Sequence, residues 1–313
     1  PTVDWWGIPV SRVWRCGTRG NVASGLIEKP ARGDFLPILD GGFSLQYAPL
    51  MEYREGKGLV VFCQMDVTGR SDADPAAGRL VRNILGYVSG WTPSPRRTIA
   101  YAGEPSGSRW LESAGFAVRR YAGGKLKEGE ILVVGPGAPK KAVPPAGWLG
   151  VGGRLVAVGL DWKDANAIYP PGVRMKSVEH INAVFDPPAP DSPLAGVGPA
   201  DVHDRSARNI PLVDQGPLAV GDGVLATAFD GRVVFDQLAP WQFEPGDGLG
   251  LRRTYRRVSF LLNRLLANMG AGGATPLLER FGKPAGAKET RYLSGLYLDQ
   301  PIEWDDPYRF FRW

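Results

Sequence analysis

The sequence predicts a three-layer α/β fold, a parallel β-sheet covered by helices, and three observations carry that expectation. Between Arg96 and Leu160, short β-branched apolar runs alternate with segments of helical period; parallel strands need crossover connections, so this alternation marks a parallel sheet. The stretch VVFCQMD (60–66) returns as VVFDQLA (233–239). Around each copy the same order of signals recurs: a strand, a tight turn, an apolar strand, a loop and an amphipathic helix.

In the first copy, PLMEYREGKGLVVFCQMD places two strand-like runs around the turn Glu55 to Gly58. The following AAGRLVRNILGYV (76–88) sets Leu80, Ile84 and Val88 at four-residue steps, with Val81 and Leu85 beside them, which makes one apolar stripe. In the second copy, GVLATAFDGRVVFDQLA turns at Asp230-Gly231, and VSFLLNRLLANM repeats the spacing with Leu261/Leu265 and Leu262/Leu266. The second copy has a full domain ahead of it. RRTIAYAG (96–103) reads as a buried strand, SRWLESAGFAVRRY as a helix running into a strand, EGEILVVGPG (128–137) as a third strand, and AGWLGVGGRLVAVGL (146–160) as a short helix broken at Gly152-Gly153 before a fourth strand. The first copy has no room for that front half. LIEKPARGDFLPILDGGFSLQYAPL reads as the middle of a domain, and the chain opens at Pro1 rather than Met, so it reads as processed or as the carboxyl-terminal part of something longer. The expected organisation is the end of a first domain over 1–93, a complete domain over 94–272 and an aromatic strap over 273–313.

Composition excludes several functions. At 43% apolar and 22% charged the chain is expected to be globular, and no apolar run approaches the roughly 18–20 residues that span a bilayer, so no membrane partner is expected. A charge of +5 is mild, and the densest basic run, LRRTYRR (251–257), leads into an apolar-periodic segment; it is expected to be the solvated face of a helix start, with no nucleic acid as partner. Two cysteines, Cys16 and Cys63, and two histidines, His180 and His203, stand in no metal-ligand spacing, so no metal and no cofactor are expected. GPGAPKK (135–141) lacks both phosphate-loop patterns and reads as a turn.

The order strand, WLESAG helix, ILVVGPG, GWLGVGGRLVAVG, SPLAGVGPAD, hairpin and final helix resembles the flavodoxin-like, class I glutamine-amidotransferase-like domain appended to large bacterial glycoside hydrolases related to β-galactosidase. The resemblance covers 94–272 and, as a partial copy, 40–93; it implies a tandem of such domains with the first incomplete. A class I amidotransferase needs a Cys nucleophile on a sharp strand-to-helix turn and a downstream His-x-Glu pair. Here RLVAVGLDW ends in Gly159-Leu160-Asp161, Cys63 falls in a predicted buried strand that argues for an inert thiol, and His203 is followed by Asp204-Arg205. The resemblance therefore implies a fold without catalytic residues, an accessory and assembly region with an upstream catalytic glycosidase domain or chain as its partner; a homo-oligomer and a carbohydrate stay open as further partners.

Two other readings stand beside it. A carbohydrate-active hydrolase needs two carboxylates about 5–10 Å apart. The candidates beside aromatic platforms are Asp161 next to Trp162, and Glu303, Asp305 and Asp306 around Trp304; Asp161 also follows a central strand, where α/β sheets bind ligands. Against it stands a solvated or capping Asp on a loop. A carbohydrate-binding module would use Trp304 or Trp313 in the tail, or Trp162, as stacking faces, whereas packing as a strap uses the tail rings equally well. The amino-terminal Trp5, Trp6 and Trp14, with Arg12, Arg15, Arg19 and Asn21 nearby, form either a sugar-facing surface or a contact with the upstream domain.

Overall fold

The structure is a computed structural model and describes residues 14–15, 21–23, 26–41, 45–204, 207–243 and 249–273. The described residues fall into two compact units that divide at Ser94/Pro95, with Ala31–Asp34 belonging to the second.

The first unit holds β1 (Trp14–Arg15), β2 (Asn21–Ala23), β3 (Ile27–Glu28), β4 (Phe35–Gly41), β5 (Tyr47–Glu55), β6 (Gly58–Cys63) and α1 (Pro75–Gly90). β1 and β2 pair with each other, while β5 is the centre of an antiparallel four-stranded sheet, joined by β3, β4 and β6. The predicted turn closes β5 on β6, pairing Glu55 with Gly58, and Gly56 at φ 55 supplies the left-handed corner. The core is Phe35 stacked on Tyr53 at 4.4 Å, with Ala48, Leu50 and Met51. Glu52 is buried and held from two sides, by Arg54 Nε at 2.5 Å and by the Tyr87 hydroxyl of α1. α1 begins where Asp74 accepts from the amides of Ala76 and Ala77 and Pro75 takes the first helical position, which needs no N–H donor.

The second unit runs β7 (Thr98–Ala102), α2 (Pro105–Ser113), β8 (Val118–Arg120), β9 (Glu130–Val134), β10 (Arg154–Val158), α3 (Trp162–Ile168), β11 (Arg174–His180), β12 (Arg208–Gln215), β13 (Leu218–Val220), β14 (Leu225–Ala228), β15 (Val233–Asp236) and α4 (Leu249–Asn268). Its sheet has seven strands in the order β13-β14-β15-β10-β9-β7-β8. The five from β15 to β8 are parallel, and β14 and β13 add antiparallel at one edge. Counted along the chain, the parallel strands lie in the spatial order second, first, third, fourth, fifth.

The mostly parallel α/β sheet is therefore as the sequence predicts, and the period-2 geometry of its strands explains the continuous apolar runs. Ile131 and Val133 of β9, Val156 and Val158 of β10 and Val234 of β15 face one core with α2 and α4; Leu132, Val134, Leu155, Ala157, Val233 and Phe235 face another with α3. On α4 the predicted stripe Leu261, Leu262, Leu265 and Leu266 is wholly buried, which stabilises by about 1.5–3 kcal/mol per side chain. α2 and α4 stop at the same device: Gly115 at φ 91 and Gly270 at φ 90 turn the chain, and the next amide (Phe116, Ala271) returns to the carbonyl five residues back (Leu111, Leu266).

Three sequence expectations differ from the structure, and one pair of strands has no counterpart among them. The short helix at 146–152 is a run of turns, because Gly147 and Gly152 both take positive φ. Among the described residues β6 is a half-exposed edge strand, not a buried one, and Cys63 on it is half-buried. LRRTYRR does open a helix, but Arg256 and Arg257 are buried within it rather than solvated. The antiparallel pair β11–β12 was not predicted at all.

Candidate functional site

In a parallel α/β sheet the carboxyl ends of the strands are where ligands bind, above all where two neighbouring strands send their connections to opposite faces. Here that point lies between β7 and β9, and it is filled. The chain leaves β7 through Gly103-Glu104 and β9 through Gly135-Pro136, and the two exits are tied to each other, Gly135 N donating to Ala102 O and Glu104 N to Pro136 O, each at 2.8 Å. Above them stand Tyr101 and Trp241, edge to face with centroids 6.3 Å apart, with Trp110 6.2 Å from Trp241; all three are buried. Trp241 Nε1 donates to Glu104 Oε1 at 2.6 Å, and the Tyr101 hydroxyl donates to Glu104 O at 3.1 Å. Because Glu104 is so engaged, it precedes α2 without capping it by its side chain.

Glycines make the packing this close. A Cβ on Gly107 would lie 1.9 Å from the Tyr101 Oη, one on Gly103 2.4 Å from it, and one on Gly135 2.8 Å from it and 3.1 Å from the Trp241 ring. Burial, and then the charge of Glu104, push the Tyr101 phenol well above its ordinary range, so it serves as a neutral donor and not as a base.

The second place is the turn from β10 into α3, where an amidotransferase-like fold would carry its nucleophile. The geometry of a sharp strand-to-helix corner is present: Gly159 sits at φ 60 and its N–H donates to Asp236 O at 2.7 Å. The corner residue has no side chain, and a Cβ there would stand 3.0 Å from the Ala239 Cβ. Leu160 is fully buried. Asp161 comes next, exposed, with Oδ1 accepting the Asp164 N–H at 2.8 Å as the N-cap of α3. Partial burial and then the charge of Asp161 raise the Asp164 carboxyl. Trp162 is 55% exposed, with Lys163 Nζ 5.6 Å from its ring centroid.

The third feature was not singled out from the sequence. Asp236, the last residue of β15, is fully buried; its Oδ1 accepts the Leu238 N–H at 3.0 Å and its Oδ2 has no partner among the described residues. Burial pushes its pKa up to about 8, so the carboxyl is mainly protonated at neutral pH. Next to it, the Gln237 amide nitrogen, in the orientation that satisfies the group, reaches Leu160 O at 3.0 Å and Pro211 O at 3.2 Å. The signal was present in the sequence as an acid ending the apolar run VVF, at the place where the first copy has Cys63.

Asp161 and Trp162 are thus adjacent at the carboxyl end of β10. Trp14 lies on β1 and its side chain is outside what is described; Trp5, Trp6, Trp304 and Trp313, the carboxylates Glu303, Asp305 and Asp306, Cys16 and the strap lie outside the described residues. Of the histidines, His180 is buried with Nε2 donating to Val202 O at 2.6 Å. Among the described residues no three His, Cys, Asp or Glu side chains cluster as a metal site would require, and no helix is long and apolar enough to cross a membrane. No family model matches the sequence, and no curated protein matches it. Fold and site together define a mixed α/β protein with a seven-stranded, mostly parallel sheet that is packed shut between the ends of β7 and β9.

Proposed function

We propose that this chain is a non-catalytic accessory and assembly region of a large glycoside hydrolase related to β-galactosidase, built on a flavodoxin-like, amidotransferase-like domain. The observation that carries the loss of catalysis is the pair of closed sites on the second unit: a strand-to-helix corner occupied by Gly159, and a strand-end crevice occupied by Tyr101 and Trp241. The strand order second-first-third-fourth-fifth is that of flavodoxin-like sheets, which supports the fold reading. The hairpin-and-helix order of β5, β6 and α1 repeats that of β14, β15 and α4, which supports the tandem reading. The glycosidase context rests on the sequence resemblance, and the upstream catalytic domain is the partner it implies.

The test is substitution of the one exposed carboxylate at the strand ends that the sequence singled out. Asp161→Asn should leave glycoside hydrolysis by the complete native polypeptide within a few-fold, because a cap acceptor is retained and no reacting group is lost; a loss of turnover on the order of 10³-fold or more with folding intact would overturn the non-catalytic reading. Asp161→Ala should lower stability by about 1 kcal/mol in urea unfolding through the lost cap of α3.

A second reading has one observation in its favour. Trp162 is half exposed, beside Asp161 and Lys163, at the position where these sheets meet ligands, so a sugar ring could stack on it. Trp162→Ala should then weaken oligosaccharide binding measured by titration calorimetry; equal binding by both proteins would remove that role.

A further inference from the structure

We propose that the outer edge of β6, with the adjoining apolar face of α1, is a docking surface for a parallel β-strand apolar on both faces, supplied by the polypeptide that carries the front half of the same α/β domain. The inference rests on the reading of the first unit as the end of an incomplete α/β copy. Its basis is a contrast between two stretches of nearly identical chemistry. In the second unit VVF of β15 is completely buried and the stripe of α4 with it. In the first, Val60 of β6 is 43% exposed, and on α1 Leu85 is 64% exposed with Tyr87 and Val88 also open.

The difference has an identifiable cause. β15 lies between β14 and β10, and β10 pairs with it in parallel, Val156 against Val234, Ala157 against Phe235 and Val158 against Asp236. Among the described residues β6 pairs in a ladder with β5 alone; two residues beyond its end, Met65 makes a single antiparallel bridge to Ala23 of β2. An edge strand in a finished protein is shielded by a charge, a proline or a bulge. Gly58–Cys63 has no charge and no proline, and it pairs with β5 in unbroken register from Glu55↔Gly58 to Leu50↔Cys63. Its run of five non-polar side chains does not alternate with polar ones, the pattern of a strand meant to be covered on both faces by a parallel sheet. By the register of β10 on β15, the incoming strand should place a small residue opposite Phe62 and its carboxyl-end residue opposite Cys63, and strand addition supplies the main-chain bonds.

The probe is the chain's own strand that solves this problem in the second unit, the peptide GRLVAVGL (153–160), offered in trans to the whole 313-residue chain. Carrying Val158→Cys as its mixed disulfide with thionitrobenzoate, it should exchange onto the Cys63 thiol with release of the thionitrobenzoate thiolate, while the same peptide carrying Leu155→Cys should not. Deuterium uptake by the β6 amides that point away from β5 should be rapid in the free chain and slow by roughly tenfold or more with the peptide, and N-methylation of the peptide backbone should abolish the protection. Cross-linking through the Leu155 end instead would mean antiparallel addition and overturn the proposal. So would outward-facing β6 amides already protected in the monomeric chain, protection that appears only with a doubling of mass, which would make a second copy the occupant, or no protection by the peptide. None of these outcomes depends on turnover, so failure of the non-catalytic reading would be seen separately, in the hydrolysis assays.

Discussion

Gly107→Ala should destabilise the chain by about 3 kcal/mol, although alanine in a helix interior ordinarily stabilises by about 1 kcal/mol relative to glycine. The reversal of sign comes from Tyr101. Gly107 lies in α2, where its backbone asks for nothing special, but the added methyl would stand 1.9 Å from the Tyr101 Oη and 2.6 Å from its Cζ. Tyr101 cannot step aside cheaply, because Trp241 packs against it, its hydroxyl is bonded to Glu104 O, and it is 3% exposed. Urea unfolding of Gly107→Ala, Tyr101→Phe and the double variant gives the coupling directly: Tyr101→Phe removes the closest contact and should recover part of the loss in the double variant. If Gly107→Ala is neutral or stabilising, the space between β7 and β9 is open and the closed-crevice argument fails.

The other large effect is one of pH. Asp236 carries a folded pKa raised from 3.8 to about 8, burial being the cause, with the Leu238 N–H pulling the other way. A carboxyl raised in the folded state contributes most when protonated in both states, below about pH 4; as pH rises from 4 to 8 the unfolded chain ionises first, and stability falls until the folded group also ionises. Asp236→Asn keeps the shape and the neutral state at every pH. The variant should match the parent near pH 4 and exceed it by at least ~2 kcal/mol at pH 8–9, measured by denaturant unfolding across the range. Equal pH profiles would mean that the Asp236 carboxylate is solvated or paired.

How legible this was in the sequence depends on what each element uses to hold itself. β7, β9, β10 and β15 were legible because parallel strands buried on both faces must be continuously apolar, and α1, α2 and α4 because their apolar residues recur at helical spacing. β11 and β12 were not: RMKSVEH is largely in water on both faces, and RNIPLVDQ carries Pro211 in mid-strand while burying Ile210, Leu212 and the adjacent Val213 in the cores, so neither strand shows a clean period of two. The buried Arg256 and Arg257 were misread because helical charge runs are usually solvated, and burial there is set by tertiary packing. At the strand ends, the absence of a side chain at Gly159 was readable, whereas its left-handed φ was not. Asp161 was visible as an acid after a strand, its capping bond only in three dimensions. Tyr101, Glu104 and Trp241 lie up to 140 positions apart and meet through the order of the strands, which no local pattern in the sequence encodes.

Under the proposed function, the strand ends of this chain hold no working catalytic site. The most direct measurement is turnover by the purified 313-residue chain itself on a panel of aryl glycosides and on glutamine, beside the intact native polypeptide, whose mass is determined in the same preparation. The prediction is no turnover above background by the 313-residue chain, with glycoside hydrolysis confined to a longer native polypeptide. Glycoside or glutamine hydrolysis by the 313-residue chain, proportional to its concentration and lost in Asp161→Asn, would contradict it.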